Sequence, residues 1–563
     1  MTLKELKTQI GNIILEKWGK GLDIGRFDVT NAADPKYGDV ATNAAMIYAK
    51  ELGRAPRELA AELAAAIKQS VGGIGAADVA GPGFINMTLS DEAVAAGATG
   101  ATTARPKNFA GKQVVAEYSD PNPFKVLHVG HLYTSAVGDA ISNLIRAAGG
   151  TVHAVNFGGD VGLHVAKTMW AIVRDLGGEH PEGLERIAED GRSGWMATCY
   201  VAGTGAYEDD EEAKAAIIKL NAEIYRIQAE GDHESAIAKI YWTCRKWSYD
   251  YFDAFYARIG TNFEKYYPES ETTGLGLKTV REQLAKGVYK ESKGAVVFEG
   301  EPYGLHTRVF ITSQGLPTYE AKDVGLIMTK WQDYKFDYSV IITGNDILEY
   351  MKVVLKSIEQ FEPELAKRTA HLTHGNVKLA GGVKMSSRKG NFVRAVDVLD
   401  AAAEASVKAN AQNDEQVVLG AVKYSFLKQR IGADLIFIPE ESVSLEGNSG
   451  PYLQYAHARA RSILAKSDAK LPGKLSALDD AERKLARKIS EYPDVLAQAV
   501  DELMPHYVCT YLYELAQTFN RFYEASRVVG DAREEVRLKL VELYADVLRD
   551  GLSILGITAP NRL

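Results

Sequence analysis

Cysteine is scarce. The 563 residues carry three, Cys199, Cys244 and Cys509, widely spaced and with no Cys-x-x-Cys pair. That excludes a disulfide framework and a thiolate zinc site, and it suits a reducing, cytoplasmic setting. Long apolar runs are missing too: none approaches the roughly 20 residues that span a bilayer, so no membrane partner is expected. The first residues, Met1-Thr2-Leu3-Lys4-Glu5-Leu6, open an amphipathic helix rather than a signal peptide. Positive charge is not in excess, since 65 Lys and Arg against 74 Asp and Glu leave a net charge of −9. Bulk attraction to nucleic acid is thereby disfavoured, while a local basic surface stays open. Internal repeats and low-complexity tails are absent as well. What is present is ordinary for a globular chain, 46% hydrophobic and 25% charged residues. The length exceeds what one hydrophobic core supports, which predicts two to four domains.

Periodicity divides the chain into four regions. Residues 1–108 read as a small α/β module. In it Gly38-Asp39-Val40 leads into a helical run from Ala41 to Leu52, and a second amphipathic helix covers Arg57 to Ser70. A Gly-Pro-Gly turn, Gly81 to Gly83, then feeds a strand from Phe84 to Leu89. The Ala- and Thr-rich stretch Ala95 to Ala104, closed by Pro106, reads as a linker. From Gln113 the pattern becomes strand (Val114 to Tyr118), helix (His131 to Ala148) and strand (Thr151 to Phe157), one βαβ unit of a parallel sheet. A polar, helix-rich stretch of about 180–300 reads as an insertion. Strands return at Arg308 to Thr312 and Tyr338 to Ile342, so the sheet domain covers 109–400. A helical connection follows over 401–445, then an all-α domain over 446–563.

Two short motifs carry the chemistry. His128-Val129-Gly130-His131 stands where a strand hands over to a helix. Ligands of open parallel sheets bind beyond the strands' carboxyl ends, and helix N-termini favour phosphate there. Two imidazoles three residues apart face one point, and Gly130 between them admits a nucleotide close to the backbone. Their N–H groups would donate to phosphate oxygens as charge builds during an in-line attack. Ser119-Asp120-Pro121-Asn122-Pro123-Phe124-Lys125 ahead of them makes a rigid loop. The second motif, Lys384-Met385-Ser386-Ser387-Arg388-Lys389-Gly390-Asn391, follows a Gly381-Gly382 turn. A lysine on such a loop can close over phosphates once ATP is bound. In this order the pair reads as a site that splits ATP between its α- and β-phosphates. Taken singly, each motif is equally a surface His pair or a solvated basic loop.

The constellation resembles a class I aminoacyl-tRNA synthetase, and within that class the arginyl-tRNA synthetases, over essentially the whole chain. The resemblance rests on Glu117-Tyr118-Ser119-Asp120-Pro121-Asn122 through His131-Leu132, and on Asn156-Phe157-Gly158-Gly159-Asp160-Val161-Gly162. It continues through Tyr319-Glu320-Ala321-Lys322-Asp323-Val324-Gly325 and Ser386 to Asn391. It implies a multidomain α/β chain with a class I Rossmann-like parallel-sheet catalytic domain carrying a helical insertion. A small N-terminal α/β domain that touches the tRNA elbow and an all-α anticodon-binding domain flank it. The implied reaction has two steps: L-arginine and Mg2+-bound ATP give arginyl-adenylate, and the 2′-hydroxyl of the terminal adenosine of tRNA(Arg) then takes the arginyl group. Neither step needs a covalent nucleophile or a resident metal, so positioning and electrostatics carry the catalysis.

Site roles follow from the same resemblance. His128, His131, Lys125 and Lys384 are the implied catalytic residues, and His128, Gly130, His131, Lys384, Met385 and Ser386 the implied ATP contacts. A buried guanidinium wants matched carboxylates. Asp323 and Tyr319 are expected to face it with Glu117 close by, and Asn122 to meet the α-amino end. Asp346, in the loop Thr343-Gly344-Asn345-Asp346, stands where the family has a glutamine near that ammonium. Asp120 takes a position commonly Ser and adds negative charge beside an anionic nucleotide, while Phe124 and Leu127 replace a small residue and an aromatic. Tyr452, Tyr455 and Arg459 share a helical face and, with Tyr523, are the expected tRNA contacts, since unstacked bases are read by rings and guanidinium groups. Tyr511, Tyr513 and Phe519 are expected to be core, and Phe84 and Asn86 to be the elbow contacts. The family implies a monomer. Two alternatives stand beside this reading: a small-molecule nucleotidylyltransferase, which has no use for the helical C-terminus, and a catalytically inert RNA-binding relative, which is expected to have lost the histidines or Lys384.

Overall fold

The computed structural model describes residues 1–32, 34–379, 393–409, 414–475 and 477–563. Lys384, Met385 and Ser386 lie outside them. Two compact units emerge, one formed by Asn108–Pro451 with Leu555–Ile557, the other by Met1–Lys107 with Tyr452–Ile554 and Thr558–Leu563. Among the described residues no helix is long and apolar enough to cross a membrane.

The first unit is built on a five-stranded sheet, ordered Thr369–His374, Tyr338–Gly344, Gln113–Glu117, Thr151–Gly158, Lys265–Pro268. All neighbours are parallel. Val114, Val115 and Ala116 in the central strand are fully buried, as an unbroken apolar run must be when both sheet faces are covered. From that strand the chain moves outward on one side, then returns to build the other side with Tyr338–Gly344. The order therefore reverses between Glu117 and Gly344, and a crevice opens beyond the strand ends at such a point. Helix Val129–Ala147 follows the central strand and is buried along most of its length. Gly138 makes its close approach possible, since a Cβ there would fall 2.1 Å from the Tyr118 ring.

Helices Arg192–Asp209, Glu211–Glu230 and Ala236–Ile259 form the insertion. They pack a separate core around helix Leu163–Leu176, with Met169, Ile217, Ile224 and Tyr241 in its centre. The sheet resumes earlier than the 180–300 insertion allows, because Lys265–Pro268 is its outermost strand. Conversely, Arg308–Ile311 does not resume it. That segment pairs antiparallel with Ala295–Phe298 in a separate three-stranded sheet. A four-residue edge strand is too short to show a period, and β-propensity does not say which sheet a strand joins.

In the second unit a four-stranded antiparallel sheet, Val29–Asn31, Val40–Thr42, Phe84–Leu89 and Ile74–Ala80 in spatial order, carries helices Leu3–Trp18 and Pro56–Ser70. Leu6, Ile10, Phe27, Tyr48, Leu63 and Ile85 lie in its core. The expected linker at Ala95 to Ala104 begins as helix Asp91–Thr99, capped by Ser90. Alanine is the best helix former, and acidic residues in the first turn add to the cap. The C-terminal helices include Gly450–Leu464, Asp480–Ser490, His506–Ala525 and Glu534–Ile554. Arg483 fastens the small sheet to them, reaching Asp39 at 2.7 Å, Asp91 at 2.9 Å and the Leu89 carbonyl at 2.9 Å. Arg487 adds a bond to Asn31 at 2.7 Å, and Asp494 accepts from Leu3 N at 2.8 Å.

Candidate active site

The loop after the central strand is bent tightly. Ser119, Asp120 and Phe124 all take positive φ (75°, 51° and 66°), a region that side chains enter at a cost. The bends are held by surrounding bonds. Phe124 N donates to Ser248 Oγ at 2.9 Å, and Asn122 Oδ1 accepts from Gly159 N at 2.7 Å. The loop delivers His128 as the N-cap of helix Val129–Ala147.

The two histidines cap that helix themselves. His128 Nδ1 accepts from Gly130 N at 3.1 Å, and His131 Nδ1 accepts from His128 N at 3.1 Å. Their rings stack with centroids 3.8 Å apart. Burial, then the Lys125 charge, lowers His128 to about 4; burial and His128 hold His131 well below the usual range. Both imidazoles are therefore neutral at pH 7. With each Nδ1 occupied as an acceptor, the proton sits on Nε2, so each ring offers one N–H donor. Gly130 also serves its own motif. A Cβ there would fall 2.8 Å from His128 Cε1, so the glycine makes room for the imidazole. Burial brings Lys125 down to about 8, and its Nζ lies 4.6 Å from the centre of the Tyr200 ring. The chain on the far side of the Lys384 motif runs beside the signature, with Val129 N donating to Val393 O at 3.0 Å and Ala395 N to Leu127 O at 2.9 Å.

Next to this donor cluster lies an acidic one. Glu117, 3% exposed, forms an ion pair with the fully buried Lys330. Asp323 accepts a hydrogen bond from the Tyr350 hydroxyl. Burial raises the Asp323 carboxyl to about 7, with Glu117 adding to the rise and Tyr350 opposing it. Burial and Glu117 likewise hold Asp120 well above the usual carboxyl range. Asp120 thus belongs with Glu117 and Asp323, and the expectation that it burdens the nucleotide side is corrected. Its Oδ1 accepts from Phe157 N at 2.9 Å, a bond that the bent backbone makes possible.

Glu269, the residue after the outermost strand, was missed in the sequence. It is 1% exposed, and its Oε1 lies 3.0 Å from Lys322 Nζ. Its Oε2 is buried and has no hydrogen-bond partner among the described residues. A Cβ built on Gly159 would fall 2.8 Å from Asn122 Oδ1, 3.0 Å from His164 Cε1 and 3.2 Å from Glu269 Oε2, so these three groups converge on one spot. A carboxylate just past a parallel strand was the available signal, but only once the Lys265 segment is known to be in the sheet. Four carboxyl groups, on Glu117, Asp120, Asp323 and Glu269, thus face two ammonium groups, on Lys330 and Lys322. The surplus of carboxyl groups suits a cation, whose charge would draw off the protons that burial holds on Asp120 and Asp323, and an orphaned buried oxygen on Glu269 awaits a donor.

Two of the expected arginine contacts are more exposed than that cluster. Tyr319 is 62% exposed, and Lys322 Nζ lies 5.1 Å from its ring centre. Asp346 is exposed beyond the end of strand Tyr338–Gly344, where its charge is felt by His128. Among the described residues, no group of three or more His, Cys, Asp or Glu side chains is placed to hold a metal ion.

The expected RNA contacts lie in the second unit. Tyr455 and Phe84 are 46% and 41% exposed. Phe84 and Asn86 point to the same face of their strand by alternation. The Arg459 guanidinium lies 4.7 Å from the Tyr523 ring centre. Tyr452 is more enclosed, its hydroxyl accepting from Asn520 at 2.9 Å and its ring edge-on to Tyr513 at 5.8 Å. Tyr511 and Phe519 are core. The last residues are tied to the same helix, with Gln454 donating to the Thr558 carbonyl at 2.9 Å and His457 Nδ1 to the Pro560 carbonyl at 2.8 Å.

Comparison with known proteins gives a consistent answer. The family described as tRNA synthetases class I (R), catalytic domain, matches residues 97–442. The arginyl tRNA synthetase N-terminal domain matches 4–89 and the DALR anticodon binding domain 453–563. Arginine–tRNA ligase of Porphyromonas gingivalis is 30% identical over 80% of each chain. That of Treponema pallidum is 30% identical over 93% of this chain and 92% of its own. The structure of Thermus thermophilus arginyl-tRNA synthetase superposes over the full length of both chains, with a TM-score of 0.82 and 26% identity. This chain belongs to the arginyl-tRNA synthetase family of class I aminoacyl-tRNA synthetases.

Proposed function

We propose that this chain joins L-arginine to tRNA(Arg) in two steps, through arginyl-adenylate. The carrying observation is the surplus of buried carboxyl groups, Glu117, Asp120, Asp323 and Glu269 against Lys330 and Lys322, beside two neutral imidazole donors at the sheet's switch point. A guanidinium and an ammonium on one small molecule supply the missing positive charge. In the first step the arginine carboxylate attacks the α-phosphorus of Mg2+-bound ATP, and pyrophosphate leaves. The Nε2–H groups of His128 and His131 and the Lys125 ammonium meet the charge that grows on the phosphate oxygens. Lys384, Met385 and Ser386 belong to the same step by family resemblance. In the second step the terminal 2′-hydroxyl attacks the adenylate carbonyl, and AMP leaves.

For arginine, Asp323 and Glu117 are assigned to the guanidinium, Asn122 and Glu269 to the α-amino end, and Tyr319 and Asp346 to the rim. For tRNA, Phe84 and Asn86 are assigned to the elbow, and Tyr452, Tyr455, Arg459 and Tyr523 to the anticodon. A monomeric, cytoplasmic enzyme completes the reading, and the three buried cysteines agree with a reducing compartment.

The test is pyrophosphate exchange into ATP with each standard amino acid, with and without total tRNA. Exchange with arginine alone among them, and only when tRNA is present, is the expected result. Exchange with another amino acid would overturn the assignment of Asp323, and none at all would favour an inert RNA-binding relative.

The raised Asp323 gives a pH signature. The guanidinium prefers the carboxylate, so a proton bound at Asp323 must leave when arginine binds. Arginine affinity then weakens as pH falls through 7, and KM is expected to rise about fivefold from pH 7 to pH 6, the linkage of one proton. Steady-state exchange at a series of pH values checks this; a flat profile refutes it.

A further inference from the structure

His374 closes the strand Thr369–His374 and is buried. Its Nδ1 lies 2.8 Å from the Gly375 carbonyl, and its Nε2 lies 2.7 Å from Thr134 Oγ1. Thr134 stands one turn into the signature helix, and its hydroxyl also lies 2.8 Å from the carbonyl of Gly130. The Tyr133 ring packs on the imidazole at 4.6 Å, with Phe426 behind it at 5.2 Å.

Counting protons fixes who donates. A carbonyl only accepts, so Nδ1 of His374 carries a hydrogen. Burial lowers the ring's affinity for a second proton, which leaves Nε2 as a lone pair. Thr134 must then supply the hydrogen in its bond to His374. That single hydrogen faces two acceptors, the imidazole and the carbonyl of the glycine lying between the signature histidines. The peptide that follows Gly130 carries His131 directly.

We infer that His374 is a positioning residue for adenylate formation: by holding the Thr134 hydroxyl it ties the first turn of the signature helix, and with it the His128 and His131 rings, to the end of an adjacent part of the sheet. Donors aimed at a developing charge must be placed to a fraction of an ångström. The histidine caps hold that turn from within and the Val129–Val393 bond holds it to the segment ahead of helix Ala395–Lys408, so that the Thr134–His374 bond adds the tie to the sheet. The inference rests on the proposed arginylation for its kinetic test only.

Four variants of the full chain test it by arginine-dependent pyrophosphate exchange with tRNA present. His374→Gln places an amide oxygen near the Nε2 position and keeps an acceptor for Thr134, whereas His374→Asn reaches only the Nδ1 position. His374→Asn and Thr134→Val are each expected to lower kcat about 10- to 100-fold, with KM for arginine within about twofold, and His374→Gln to recover most of the rate. The double variant Thr134→Val/His374→Asn should lose no more than the worse single one, because both remove the same bond. A glutamine variant as slow as the asparagine one, or losses that multiply in the double variant, would overturn the inference. A second measurement needs no turnover. In 15N spectra of the histidine-labelled chain, the unprotonated Nε2 of His374 should shift on Thr134→Val; an unmoved signal also overturns it. Absence of exchange in the parent would count against the proposed function, and the spectra would still decide the role of His374.

Discussion

Asp323→Asn is expected to raise the KM for arginine by roughly two to three powers of ten, while kcat with saturating arginine falls far less. Breaking one partner of a buried ion pair costs about 3–5 kcal/mol, since the other charge is left in a dry site without its match. The substitution is nearly isosteric, and its amide oxygen can still accept from the Tyr350 hydroxyl, so the pocket keeps its shape. The same change should make the empty protein more stable at pH 8. A carboxyl raised to about 7 in the fold binds its proton more tightly there than in the unfolded chain. The folded form is therefore favoured as pH falls toward 4 and loses that advantage as pH rises through 7. Asn removes this dependence. Thermal unfolding at pH 6 and pH 8, with and without arginine, gives both readouts. A variant less stable than the parent at pH 8 without arginine would mean that Asp323 is a structural carboxylate with a fixed partner.

The second large effect belongs to His131. His131→Ala should slow adenylate formation about 100- to 1,000-fold, the usual loss when one preorganised donor to a developing charge is removed, with tRNA affinity nearly unchanged. The structure complicates that substitution, because His131 Nδ1 also caps the His128 amide. His131→Asn separates the two roles: its side-chain oxygen can take the capping bond, but nothing reaches the Nε2 position. If donation from Nε2 matters, the Asn variant is as slow as Ala and His131→Gln recovers part of the rate. If Asn restores activity, the histidine serves the helix rather than the phosphate. Single-turnover adenylate formation and tRNA filter binding, measured on the same preparations, distinguish these outcomes.

Local features are legible in the residues themselves. The βαβ pattern from Val114 to Phe157 shows in periodicity, and the His128–His131 spacing needs only a helix start to make sense. Asp323 and Tyr319 are marked by resemblance, which does not reveal that Tyr319 is largely exposed. Two site residues, Glu269 and Asp120, depend on a neighbour distant in sequence. Glu269 becomes a site residue only because the four residues before it join the sheet beside Thr151–Gly158. Asp120 looked misplaced until its backbone turned left-handed and aimed the carboxylate at Phe157 N. The packing reason for Gly130 is local, since the atom a Cβ there would meet is in its own motif. The helix Asp91–Thr99 was hidden by composition, since alanine and threonine runs serve linkers and helices alike.

The clasp of Arg483 on Asp39 has a consequence for how the polypeptide is made. The N-terminal module has its own core, drawn from the first ninety residues, and can close as soon as it leaves the ribosome. Its docking face, with Asp39, Asp91 and Asn31, then waits for helix Asp480–Ser490. Several hundred codons separate the two, about half a minute of translation at typical speeds. During that interval the whole sheet domain emerges and folds between them. The half-finished product therefore displays a bare acidic patch where the mature one has a seam, and a nascent-chain proteolysis series should find that patch protected only after residue 490 has cleared the exit tunnel.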